Sequence, residues 1–456
     1  MARTKAKSRV MTEGNIWKHL LLFAIPLLIG NLFQQLYNTV DSIVVGNFVG
    51  KEALAAVGTT DNIINTIIGF FMGMSTGAGV VISHYFGAKN EEGVHHAVHT
   101  TIAITFIMSI VFSIVGVLLV PTMLRLTKTP DDVIDQSTVY LQIYFAGSAG
   151  LMFYNMGSGI MRAVGDSRRP LYFLILSALI NTVLDILFVA GFKMGVAGAA
   201  IATIIAQGIS AVLVLITLTR EQESYRIIWR DVRVYKNMLG QVCKVGIPVA
   251  LQQAITSFSN VFVQSYINSF GSSCMAGWSS YGKIDKFCML PMQTVALSMT
   301  TFVGQNLGCG NIQRAKKGTN AALILSLSIS IALMIPILIF APNFVSLFNQ
   351  DPDVVAHGAM FLRFMMPFFP SSCLNQIYAG TLRGAGNATA PTIIMMSCFI
   401  VFRQIYLFIV SHVFNTVQLV AFGYPAGWMV CSIVMLIYYH FCHWEKRSLA
   451  AVQQTN

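Results

Sequence analysis

Arg162-Ala163-Val164-Gly165, with Pro170 just beyond, returns later in the chain as Arg383-Gly384-Ala385-Gly386 with Pro391. The two stretches are offset by 221 residues (162 to 383, 170 to 391), and Gly87 and Asn90 find Gly308 and Asn311 at the same offset. Near the start of each copy, Ile25-Pro26 matches Ile247-Pro248 and Asn38 matches Asn260, one residue further apart. The chain is therefore two homologous halves, and internal repetition at this scale sets the architecture.

The surrounding sequence says what each half is. Of 456 residues, 55% are hydrophobic and 10% charged, with a mean hydropathy of +0.67. Soluble domains carry about 25% charge, so the composition is that of an all-α integral membrane protein. Apolar stretches long enough to cross about 30 Å of hydrocarbon recur near 16–43, 53–83, 93–120, 133–161, 168–191, 196–219, 238–266, 275–305, 315–341, 353–381, 389–412 and 417–442. These twelve predicted spans form two six-helix repeats. Six is even, so the repeats run parallel, about an axis along the membrane normal and around a central cavity.

Charge placement fits that count. Basic residues cluster at 3–18, 162–169, 220–244, 314–317 and 446–447, all on one side, against only Lys51, Arg125, Lys128 and Lys193 on the other. Lys/Arg excess marks the cytoplasmic side, which places both termini there and the protein in the cell inner (plasma) membrane. The net charge of +11 is then a topology signal, and no nucleic-acid partner is expected. The expected organisation is a tail at 1–15, a bundle at 16–220, a linker at 221–236, a second bundle at 237–443 and a tail at 444–456. The basic start of the chain runs into an apolar stretch without a small-residue cleavage site, and is read as an uncleaved first helix. The linker carries Ile227, Ile228, Trp229 and Val232 among its charges. That composition suits either a strap lying on the leaflet or a plain solvated connector. The eight cysteines show no CxxC spacing and are read as free thiols, with no disulfide framework.

Ionisable groups at membrane depth cost about 2.5–3.5 kcal/mol on insertion scales, so each requires an explanation. In the first half, Gln34, Tyr37, Asn38 and Asp41 are three or four apart on one face of the first span. Ser177, Asn181 and Asp185 repeat at four on the fifth, while Thr203 joins from the sixth and Asn155 from the fourth. Two carboxylates ringed by amide and hydroxyl oxygens suit a proton or Na⁺, and no other metal is expected. At the 221-residue offset, Asn181 and Asp185 fall on Phe402 and Tyr406, so the acids are not repeated. Bases stand in the second half instead: Arg403, Lys283 and Lys286, with Asp285 beside the lysines. They read as a cationic lining for a polar or negative part of a substrate, or as charges paired internally with Asp285 and helix carbonyls.

Pro26 and Pro248 each remove a backbone N–H inside the first span of a half, giving either a hinge or a fixed kink. For His95, His96 and His99, no acid or cysteine nearby in sequence completes a set of metal ligands. No phosphate-binding glycine loop is present, which argues against ATP as the energy source. No rings of repeated carbonyls or charges suggest a channel filter.

The run Ile25-Pro26 … Tyr37-Asn38-Thr39-Val40-Asp41 … Val45-Gly46, followed by Ala53-Leu54-Ala55-Ala56-Val57-Gly58 and the paired Arg-x-x-Gly motifs, resembles the multidrug and toxic compound extrusion (MATE) family. The resemblance covers essentially the whole chain. In the DinF-like branch of that family, an aspartate on the first span and an Asn-x-x-x-Asp pair on the fifth form the cation site. Those positions match Asp41, Asn181 and Asp185 here, with Thr203 as a partner from the sixth. The acids that the NorM-like branch uses on spans 7 and 10 are absent.

The resemblance implies a non-enzymatic, cofactor-free antiporter that couples H⁺ or Na⁺ entry to efflux of amphipathic, often cationic, organic compounds. Gln34, Tyr37, Asn38, Asn155, Ser177, Lys283 and Arg403 are the expected substrate-lining residues, and a monomer in the bilayer is the expected form. The alternative is a flippase for a lipid-linked saccharide or another anionic amphiphile. The basic second half suits it, and Asp41, Asn181 and Asp185 oppose it.

Overall fold

A computed structural model describes residues 10–127, 129–414 and 416–445, except for the side chains at 38, 42, 51, 52, 54, 59, 61, 62, 257, 258 and 261. Its helices fall into twelve spans. In the first half these are span 1 (Ile16–Phe48), span 2 (Lys51–Gly87), span 3 (Glu91–Leu126), span 4 (Asp131–Ala146 and Ser148–Ala163), span 5 (Arg168–Asp185, continued by a π-helical turn Ile186–Gly191) and span 6 (Gly195–Arg220). The second half has span 7 (Lys236–Asn268), span 8 (Ser272–Gly308), span 9 (Ile312–Ile339) and span 10 (Pro352–Met365 and Phe369–Gly384, joined by a 3₁₀ turn). Span 11 runs from Thr389–Met396 through a π-helical turn Ser397–Phe402 into Arg403–Val413, and span 12 comprises Val417–Ala421 and Gly423–Phe441. Nine of these, among the described residues, are long and apolar enough to cross a bilayer by composition alone. Spans 4 and 10 fall outside that count because each is broken into helices of 14 to 16 residues.

The repeat reaches down to backbone detail. Asn90 caps span 3 by accepting from the Gly93 N–H, and Asn311 caps span 9 by accepting from the Arg314 N–H. Gly165 and Gly386, 221 residues apart, both take positive φ (89° and 84°) in the turns that follow spans 4 and 10. Close helix packing repeats as well. A Cβ on Gly159 would stand 2.3 Å from the Ser75 hydroxyl of span 2, and one on Gly380 would stand 2.4 Å from the Ala296 carbonyl of span 8. Only glycine permits backbones this close, as membrane helix packing favours.

The described residues divide into two compact units, 25–250 with 10 and 251–445 with 11–24. The start of span 1 belongs to the second unit, and the start of span 7 to the first. Pro26 and Pro248 each lie within a few residues of these changes.

In the first unit, the linker is docked rather than solvated. Tyr225 and Ile227 are buried in a core cluster with Val98, Ile160 and Val214. The Ile228 N–H donates to His99 Nε2 (2.9 Å), the Tyr235 N–H donates to Thr100, and His95 lies 3.3 Å from Asp231. The three histidines of span 3 are thus the linker's seat. The second unit treats the segment before span 1 in the same way. Arg314 donates to the Met11, Glu13 and Gly14 carbonyls, and Gln305 accepts from the Met11 N–H. The core of this unit is aromatic, around Trp278, Phe361, Phe369 and Trp428.

Candidate functional site

Spans 1, 2, 4, 5 and 6 line a cavity of about 100 Å³ inside the first unit. Gln34, Tyr37, Asn155, Ser177, Asn181 and Thr203 all line it. Five helices thus bring together polar residues that the sequence placed on separate stripes.

Asn181 and Thr203, which line the cavity, are buried, as are Asp41 and Asp185, which do not line it. With its amide nitrogen turned to Asp185, Asn181 donates to Oδ2 at 2.9 Å and accepts from the Thr203 N–H at 3.2 Å. Asp185 Oδ1 is enclosed without a hydrogen-bond partner. The Asp41 carboxylate is near enough for its charge to oppose that of Asp185, and the Tyr37 hydroxyl meets Thr203 between them. A cation placed here would answer both carboxylates, which otherwise repel each other in a poorly solvated setting. The Asn38 side chain lies outside the described residues.

Two expected lining residues also have structural duties. Ser177 donates to the Ala206 carbonyl at 2.8 Å, tying span 5 to span 6, and Asn155 donates to Leu151 within its own helix. Other lining residues were not singled out from the sequence: Asn31, Tyr154, Arg162, Gln207 and Ser210. A signal for some existed, since Thr203, Gln207 and Ser210 are four and three apart on span 6. Arg162 donates to Ser75, and Tyr154 donates to the Pro170 carbonyl. Just outside the membrane, Asp166 pairs with Arg169 at 3.0 Å. Burial nevertheless pushes its carboxyl above the ordinary value, against the pull of Arg169 and two backbone N–H groups.

In the second unit, Lys283 is exposed, with its ammonium 5.2 Å from the Phe348 ring centre. Lys286 attracts Asp285 from beyond ion-pair distance. The Asp285 carboxylate takes the Tyr281 hydroxyl at 3.0 Å, and no described lysine lies within 4.0 Å of it. Arg403 is buried, unlike Lys283. Its Nη2 donates to Ser259 Oγ (2.7 Å) and Asn260 Oδ1 (3.0 Å), and its guanidinium lies 4.5 Å from the Tyr424 ring centre.

Comparison with known proteins decides the family. The MatE family profile matches twice, over residues 26–187 and 248–409. The chain belongs to the MATE family. It is a multi-pass membrane transporter and not an enzyme, with twelve helices in two repeats. The probable multidrug resistance protein YpnP of Bacillus subtilis (strain 168) is 29% identical over 97% of this chain and 99% of its own. A solved outward-facing MATE multidrug transporter is 25% identical, with a TM-score of 0.88 over 99% of this chain and 100% of its own. A MATE structure described as the bent conformation gives 25% identity and a TM-score of 0.89, covering 99% of each chain.

The two MATE matches are offset by 222 residues at both ends (26 to 248, 187 to 409), which corrects the alignment of span 5 with span 11. At that offset Asn181 pairs with Arg403 and Asp185 with Leu407, rather than with Phe402 and Tyr406. The π turns supply the reason. Each π turn holds one more residue than an α turn. In span 11 the extra residue comes before Arg403, and in span 5 it comes after Asp185. The register therefore slips from 221 to 222 over just the residues that matter.

Proposed function

We propose that this transporter is an antiporter of the DinF-like type, in which Asp41 and Asp185, with Asn181 and Thr203, bind the coupling ion, H⁺ or Na⁺. The observation that carries this is a buried acid pair joined through Asn181 to a polar cavity within one unit, with an Asp185 oxygen left unanswered. The cargo is an amphipathic organic compound exported from the cytoplasm across the plasma membrane, with both termini cytoplasmic and the chain acting as a monomer. The multidrug names of its relatives support export over lipid flipping.

In this scheme the ion enters the acid pair from outside as cargo leaves, and its release toward the cytoplasm resets the site. Pro26 and Pro248 are the hinges, supported by their position where each first helix passes from one compact unit to the other. One inward charge contributes about 2.3 kcal/mol per 100 mV and a tenfold ion gradient about 1.4 kcal/mol more, enough for roughly a few-hundred-fold cargo gradient.

Purified protein in liposomes tests the reading. An imposed pH gradient driving dye movement at fixed Na⁺ assigns H⁺, and a requirement for Na⁺ at fixed pH assigns Na⁺. Indifference to both gradients, with Asp41→Asn equally active, would falsify coupling through this pair.

A further inference from the structure

We propose that Arg403, Ser259, Asn260 and Tyr424 form an anion seat in the second unit that takes the carboxylate or phosphate of an amphipathic cargo. The seat occupies the position that the coupling site occupies in the first half. It rests on the export reading and extends it to the class of cargo.

The repeat provides the first argument. At the family offset, Arg403 stands where Asn181 stands, Ser259 where Tyr37 stands and Asn260 where Asn38 stands. Asp41 and Asp185 are replaced by Val263 and Leu407, both fully buried. The same place in the fold therefore holds two acids in one half and one guanidinium in the other.

Local geometry provides the second. Arg403 is 3% exposed, yet no carboxylate of a described residue lies within 4.0 Å of it. Neutral groups alone surround it: the Ser259 hydroxyl, the Asn260 amide oxygen and the Tyr424 ring. Nε is enclosed and has no hydrogen-bond partner. A buried cation answered only by neutral oxygens lacks the paired charge that normally offsets its desolvation.

The third argument is how an anion would enter. Asn260 is exposed, and its Oδ1 accepts from both Arg403 Nη2 (3.0 Å) and the Tyr424 hydroxyl (3.2 Å). That amide oxygen marks a point where two donors converge on one acceptor. A carboxylate or phosphate oxygen displacing it gains both donors, and a second oxygen reaches Nε along the guanidinium edge that carboxylates engage bidentately. Ser259 is also held by Gln404 Nε2 at 3.2 Å, which steadies the arginine while Asn260 swings away. The π turn ending at Phe402 sets Arg403 in this register, and such turns frequently mark functional sites.

A matched pair of dyes tests the seat. Rhodamine B carries a free carboxylate, and its ethyl ester differs only in lacking that charge. Fluorescence polarisation on detergent-purified protein is expected to give about tenfold tighter binding of the acid than of the ester. Arg403→Gln should remove that preference, and Arg403→Lys should keep part of it. If Arg403→Gln does not fold, Asn260→Ala, which opens the seat, should raise the preference. Added phosphatidylglycerol separates the sources: competition with rhodamine B alone assigns the seat to lipid phosphate, and no competition assigns it to free solutes. Equal affinity for acid and ester in the unaltered protein overturns the proposal, as does an acid preference that survives Arg403→Gln. The binding readout does not depend on ion coupling, so Asp185→Asn should leave the acid-to-ester ratio as it is even where transport is lost.

Discussion

The two halves share a fold and differ in charge at the same point. Where the first half places Asn181 and Asp185, the second places Arg403 and Leu407; Asn181 answers Asp185 and Thr203, whereas Arg403 donates to Ser259 and Asn260. Duplication copied the frame, with its caps, its left-handed glycines and its close glycine contacts, and left the chemistry free to diverge. Backbone geometry is constrained by packing in both copies, whereas a buried charge persists only where something answers it.

The largest expected effect falls on the acids. Asp185→Asn and Asp41→Asn should each lower gradient-driven export of a cationic dye by tenfold or more, on the order of the loss of one tenfold ion gradient. Folding should be nearly intact, because neutralising a buried acid relieves its desolvation cost. Tyr406→Phe, the change at the site first paired with Asp185, should keep export, since its hydroxyl only donates to the Leu419 carbonyl. Dye efflux from cells measures all three. Equal loss in all three would mean that the halves do not divide the work by charge.

Next in size is packing. Gly380→Ala presses a methyl against the backbone carbonyl of Ala296, which cannot move without its helix. Gly159→Ala meets the Ser75 hydroxyl first, a group that can rotate away. Overpacking costs about 1–3 kcal/mol, so the melting temperature should fall further for Gly380→Ala than for Gly159→Ala. The reverse order would show that the second half is the more yielding one.

Much of this was legible in the sequence. The repeat, the twelve spans and the polar stripes follow from spacing, and helical periodicity put Asp41, Asn181, Asp185 and Thr203 on faces that the fold brings together. The register of span 11 was not legible, because a π turn leaves no mark in hydrophobic periodicity and its single extra residue moved Arg403 away from its partner. The docked linker was missed for a different reason. His95, His96 and His99 were weighed against metal ligands nearby in sequence, while their partners Ile228, Asp231 and Tyr235 lie far along the chain. Tyr154 and Arg162 carry no periodic signal of their own, and only the cavity reveals them.

The halves also differ in how they hold the segment that leads into a first span. His99 accepts one N–H from Ile228, whereas Arg314 grips three carbonyls from Met11 to Gly14. His99→Phe leaves the Ile228 N–H without its acceptor, at a cost of about 1–3 kcal/mol if the group stays buried. Trypsin should then cut faster at Arg226, Arg230 or Arg233. Arg314→Gln should leave that cleavage unchanged, because its contacts belong to the other unit. Faster linker cleavage in Arg314→Gln would show that the two grips act as one.

The smallest effect concerns the far ends of the halves. Beside the end of span 6, Arg169 joins Asp166 and Glu221 in a three-member cluster, with all three side chains less than a quarter exposed. Beyond span 12, Glu445 pairs with Lys316 at 2.9 Å, whose side chain is half exposed. Burial opposes ionisation of Glu445, yet its own backbone N–H, Lys316 and His443 together hold its carboxyl below the ordinary value. A depressed carboxyl stabilises the fold above its unfolded value of about 4.3 and loses that contribution as pH falls through the folded value. Exposed pairs contribute about 0.2–1 kcal/mol, so Glu445→Gln should lower the melting temperature slightly at pH 7, and by less as the pH falls below the unfolded value and through the folded one. Arg169→Gln should cost more at pH 7, since it breaks two pairs in a drier place. An equal penalty for both variants would mean that the single exposed pair anchors its half as firmly as the cluster anchors the other.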